Sequence, residues 1–140
     1  MRNISSLFSA TILLAACTGG AGDEAGTTQA YSGIAEDEVI DFGGTEPFWG
    51  GTIEDGTMTY STPDNIGSSF LVERFAGNNG LSFTGDMNGT SVTMTVTPGE
   101  CSDGMSDRTY PFTVTLQLGD AVRNGCAHTD RQPFTGPVAP

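Results

Sequence analysis

Three stretches of this chain carry residue types at spacings that could do chemistry: a cysteine pair, a tryptophan-bearing turn and an acidic loop. Cys101 and Cys126 have no Cys-x-x-Cys spacing around them, so in an oxidising compartment they are expected to form a structural bridge rather than a redox couple. Glu46-Pro47-Phe48-Trp49 contains the only tryptophan. Its aromatic pair is expected to open a strand and plug one end of a small core. Pro47 is expected to hold Glu46 extended. A carboxylate beside apolar rings needs a partner, and Arg108 or Arg123 could supply a bidentate one. In the loop Cys101-Ser102-Asp103-Gly104-Met105-Ser106-Asp107-Arg108, the side chains of Asp103, Ser106 and Asp107 can bond their own backbone and keep it tight. Calcium binding is the functional alternative for that loop, but the ligand spacing of a calcium hand is absent. Arg108 is expected to bridge Glu46 and one loop aspartate, forming the rim of any binding surface.

Catalytic arrangements are hard to assemble from what else is present. The single histidine, His128, falls two residues after the last cysteine and is expected to be solvated. Bridged cysteines leave no thiolate for nucleophilic work. There is no lysine for a Schiff base or a phosphate loop, and neither Gly-x-Ser-x-Gly nor His-Glu-x-x-His occurs. The expectation is a non-enzymatic protein with no cofactor and no bound metal.

The N-terminus gives an address. Arg2, an apolar run through Leu7, Phe8, Ile12, Leu13 and Leu14, and the small residues Ala15-Ala16 before Cys17 describe a secretory signal over residues 1–16. The run is too short to span a bilayer. Leu14-Ala15-Ala16-Cys17 resembles the bacterial lipobox, which implies cleavage before Cys17 and lipid on its sulfur. Thr18 in place of an aspartate implies sorting to the outer membrane, facing the periplasm. Lipid on Cys17 leaves Cys101 and Cys126 as an even pair. Cleavage also removes Arg2 and no acid, taking the formal charge from −12 to −13. An acidic protein whose only cations are arginines is a poor partner for nucleic acid and anionic lipid head groups; a cationic protein suits it better.

The elements that would position these residues are short strands. Residues 17–37 are rich in Gly, Ala, Thr and acids and are expected to form a lipidated flexible tether. From residue 38 the pattern alternates. Tyr110, Phe112, Val114, Leu116 and Leu118 share one face, as do Val92, Met94 and Val96. Asp55-Gly56, Asn88-Gly89 and Gly119-Asp120 mark two-residue hairpins. Pro98-Gly99 is expected to stop one strand, Ser69–Phe75 alternates poorly, and residues 128–140 have no period and are expected to be a disordered tail. About eight short strands with tight links predict an all-β, small antiparallel meander barrel over residues 38–127, closed by one disulfide and filled by its own side chains.

The lipobox, Glu-Pro-Phe-Trp, Cys-Ser-Asp-Gly-Met-Ser-Asp with Tyr-Pro after it, and Gly-Cys-Ala together resemble a family of small bacterial lipoproteins, over about Gly44 to Ala127. The resemblance implies that Glu46, Trp49, Asp103, Met105, Ser106 and Tyr110 are signature positions; it brings no activity with it. In size, anchor and barrel the chain is also similar to the membrane-bound inhibitors of c-type lysozyme. Their Ser-Gly-x-x-Tyr loop is answered here only by Ser32-Gly33, with Glu36 at the tyrosine position and no lysine nearby. The expected function is therefore a binding or envelope-maintenance module of the cell envelope, the alternative being an inhibitor of a cationic cell-wall hydrolase. A small enzyme or metal-binding domain is the third reading.

Overall fold

A computed structural model describes residues 29–138. The signal, Cys17 and the first part of the expected tether lie outside the described residues. Eight antiparallel strands form a closed meander barrel, each bonded to the next and the last to the first. They are β1 (Ile40–Gly44), β2 (Trp49–Glu54), β3 (Thr57–Thr62), β4 (Asn65–Ala76), β5 (Leu81–Met87), β6 (Thr90–Cys101), β7 (Tyr110–Leu118) and β8 (Ala121–Thr129). Closure leaves no strand edge open to another chain.

The alternation explains the barrel wall. Phe42, Ile53, Met58, Phe83, Met94 and Leu116 point inward and are buried, while threonines and serines occupy the outward positions between them. These large side chains fill the interior, as expected for a barrel of this size. The three hairpins turn where expected. Asp55 and Gly56 (φ 47° and 73°) and Asn88 and Gly89 (φ 53° and 89°) take the left-handed pair that matches strand twist, and Gly119 (φ 56°) leads the third turn.

Four boundaries differ from the sequence reading. β4 begins at Asn65 and runs for twelve residues, because its outward face carries Leu71 and Phe75 and so hides the alternation. β6 passes Pro98 and Gly99 through an irregularity and reaches Cys101, since proline is tolerated where the ladder shifts register. β8 continues to Thr129, so His128 is a strand residue paired with Asp41, not a tail residue. Residues 130–138 are also held, by a bridge between Thr109 and Thr135 and by side-chain bonds from Gln132.

The last part of the expected tether is a strap across one barrel mouth. Ile34 is 1% exposed. Tyr31 N donates to Gly77 O at 2.7 Å, and the inward-facing Arg74 donates to Ile34 O at 2.6 Å. Burial disfavours the charged form of Glu38, but hydrogen bonds from Ala35 N, Thr129 Oγ1 and Gln132 Nε2 outweigh it and hold the carboxyl below the usual glutamate range.

Candidate functional site

The site begins with two strands that meet only because the barrel closes. On β1, Asp41 and Gly43 face outward; on β8, His128 and Cys126 stand directly opposite them. Asp41 Oδ2 lies 3.7 Å from His128 Nε2. Gly43 leaves the wall low at this point, and the sulfur bridge lies beside it. Cys101 and Cys126 are joined, with Cα atoms 5.6 Å apart.

Two loops raise walls around this floor. The strands β1 and β2 pair right up to Gly44 and Trp49, leaving four residues to reverse the chain. The reversal puts Glu46 at φ 58° rather than extended, and the Glu46–Pro47 bond is cis. Phe48 is left 55% exposed on the turn. Trp49 points into the barrel between Phe42 and Tyr60, with ring centroids at 6.0 and 6.5 Å. Glycine is needed at Gly125 to admit it: a Cβ there would lie 2.8 Å from Trp49 Cζ2.

The opposite wall is the loop between β6 and β7. Asp103 accepts from Met105 N at 2.9 Å, from Ser106 N at 2.8 Å and from the Ser106 hydroxyl at 2.7 Å. Those bonds, led by the Ser106 amide, hold its carboxyl below the usual aspartate range, so it stays ionised. The loop is tied to the turn by a bond from Thr45 Oγ1 to Asp103 O, 3.2 Å. At the closed end, the rings of Tyr110, His128 and Phe134 pack on one another, with centroids 5.2 to 5.9 Å apart.

The result is a cleft of about 250 Å³ on the outer wall. Its polar groups are Asp41, Thr45, Asp103, Tyr110 and His128, and Phe48 is its exposed apolar wall. A carboxylate among ring faces suits a cation such as an ammonium or guanidinium.

The structure brings together Trp49, Asp103, Tyr110 and Cys126 from the sequence reading. Ser106 serves the cleft indirectly, by fixing Asp103. Met105 is 64% exposed on the loop, and Asp107 is exposed there too. The expected bridge between Glu46 and Arg108 is absent: neither residue has an acidic or basic partner within 4.0 Å among the described residues. Arg108 turns instead to the tail, where its guanidinium sits 4.3 Å over the Phe134 ring and donates to Pro137 O and Val138 O. Glu46 borders a second depression with Arg123, whose buried Nε has no acceptor. Sequence reasoning missed Asp41, Thr45, Phe48 as a wall, and His128. The signal for Asp41 and His128 was parity, since each is one residue from a buried wall position, Phe42 and Ala127.

Among the described residues, no three His, Cys, Asp or Glu side chains come together as a metal-binding group. No protein-family model, curated protein or solved structure matches the chain.

Proposed function

We propose that this protein is a lipid-anchored binding module of the bacterial cell envelope, non-catalytic, whose outer-wall cleft receives a cationic group from a partner protein. One observation carries the reading. The Glu46–Trp49 turn and the Cys101–Asp107 loop, far apart in sequence, meet as the two walls of a single cleft around an available carboxylate, Asp41. The filled barrel interior leaves this outer surface for binding, and the net charge of −12 favours a basic partner over long range.

Inhibition of a cationic cell-wall hydrolase is the more specific version of the same reading. It draws on the exposed Phe48 in the cleft and the exposed Met105 on the neighbouring β6–β7 loop as apolar contacts beside the charge. The test is titration of the lipidated protein in detergent with short arginine and lysine peptides and with a c-type lysozyme, alongside a cell-wall lysis assay. Saturable binding that Asp41→Asn weakens, with an unchanged melting temperature, supports the module. Loss of lysozyme activity on binding selects the inhibitor. Binding that is absent, or indifferent to Asp41, refutes the cationic-ligand reading.

A further inference from the structure

The barrel wall opposite the cleft is not bland. Three of the seven large apolar side chains exposed among the described residues lie on one strand, β4: Ile66 at 97%, Leu71 at 78% and Phe75 at 69%. Leu71 and Phe75 stand out because their cross-strand neighbours are short, Thr57 beside Leu71 and Ser82 beside Phe75. A monomeric surface scatters single apolar residues, but a row along one strand marks a contact face.

Two placements say what covers it. The chain coming from Cys17 joins the barrel at the end of this strand: Tyr31 N bonds Gly77 O, one residue past Ala76 and two past Phe75. Thirteen residues lie between Cys17 and Tyr31, a reach of at most about 50 Å. Any lipid on Cys17 thus enters from the Ala76 end of β4 and has that wall within reach. In the closed order of eight strands, β4 is also four strands from β8 in either direction, so it lies across the barrel from the Asp41–His128 floor.

We infer that β4 is a membrane-docking face, which rests on the bilayer holding the Cys17 lipid and turns the cleft on β1 and β8 outward to the aqueous side. This rests on the lipid-anchor reading of Cys17. The contact is apolar rather than electrostatic. Glu73 lies between Leu71 and Phe75, and the outer face of β4 presents no cation, since Arg74 points inward to Ile34. Zwitterionic lipid is therefore the matching surface, and anionic lipid opposes it. So small a row holds a free domain poorly, but the anchor makes docking an intramolecular event at high effective concentration.

The experiment uses the full lipidated chain in vesicles of phosphatidylcholine and phosphatidylethanolamine, with brominated acyl chains as the quencher. Phe75→Trp and, on the cleft side, Val122→Trp report separately over the shared background of buried Trp49; both positions are exposed, and a melting curve confirms each fold. The expected result is strong quenching of Phe75→Trp, little of Val122→Trp, and loss of the difference when phosphatidylglycerol replaces phosphatidylcholine. Floating, lipidated protein with equal quenching, none, or stronger quenching at Val122→Trp overturns the docking face while sparing the anchor. Protein that carries no lipid on Cys17 and fails to float overturns both.

Discussion

The strapped mouth and the outer-wall cleft are built from similar parts to opposite ends. Both join segments distant in sequence, and both contain an acid, an arginine nearby and large apolar groups. At the strap, the Glu38 carboxyl accepts from Ala35, Thr129 and Gln132, Arg74 is capped by the Ile34 carbonyl, and Ile34 is shut inside. At the cleft, Asp41 is 45% exposed, with His128 Nε2 3.7 Å away, and Phe48 stands in solvent. Satisfied polar groups make a mouth that holds the barrel shut. Polar groups with spare capacity beside exposed rings make a surface ready for something else. Substitutions should separate the two regions, with stability lost at one and binding at the other.

The largest effect tests whether the separation is complete. Replacing Cys101 and Cys126 together by alanine should cost about 2–5 kcal/mol, because the bridge constrains the unfolded chain. It should also loosen the cleft, whose floor the bridge adjoins, and so it is the one change expected to move both readouts. A mobility shift on reduction and a matching fall in melting temperature check it; two free thiols in native protein would contradict it.

Next in size is the strap. Ile34→Ala should cost about 2–4 kcal/mol by leaving a cavity under the mouth, with cationic-peptide binding unchanged. Equal binding loss would break the contrast. The same region should show in the pH profile. Glu38 has a folded-state pKa below its unfolded value, so its contribution is present above the ordinary glutamate pKa and lost as pH falls through the lowered folded value. Acid melts of the protein and of Glu38→Gln should therefore differ at neutral pH and converge as pH falls below the ordinary glutamate value of about 4.3 and through the lowered folded one. A constant gap across that range would contradict the assignment.

The smallest effect concerns Glu46 and Arg108. A double-mutant cycle with Glu46→Gln and Arg108→Gln should give a coupling near zero, since Arg108 is spent on the tail carbonyls and the Phe134 ring. A coupling above about 0.5 kcal/mol would mean that the two side chains meet in solution.

Local chemistry made the wall of this barrel legible, and distance hid the rest. Strands such as β7 and turns such as Asn88-Gly89 are written in neighbouring residues, so their alternation and left-handed glycines could be read directly. The strap could not. Its order depends on bonds between Gly33 or Glu38 and Gln132 or Thr129, more than ninety residues away, and its composition is that of a linker. The cleft was half visible. Asp103, Tyr110 and Trp49 stood out by type, but Asp41 and His128 look ordinary until closure of β1 on β8 sets them opposite one another. The proposed arginine bridge failed for the same reason: the tail that captures Arg108 has no period to announce it.

The most direct test of the cleft is amide chemical-shift mapping of the protein while it is titrated with a short arginine peptide. Shifts should concentrate at Asp41, Gly43, Thr45, Tyr110 and His128, leave the strap at Ile34 and Glu38 untouched, and vanish with Asp41→Asn. Shifts spread evenly over the acidic surface, or centred on the strap, would contradict the cleft as the binding site.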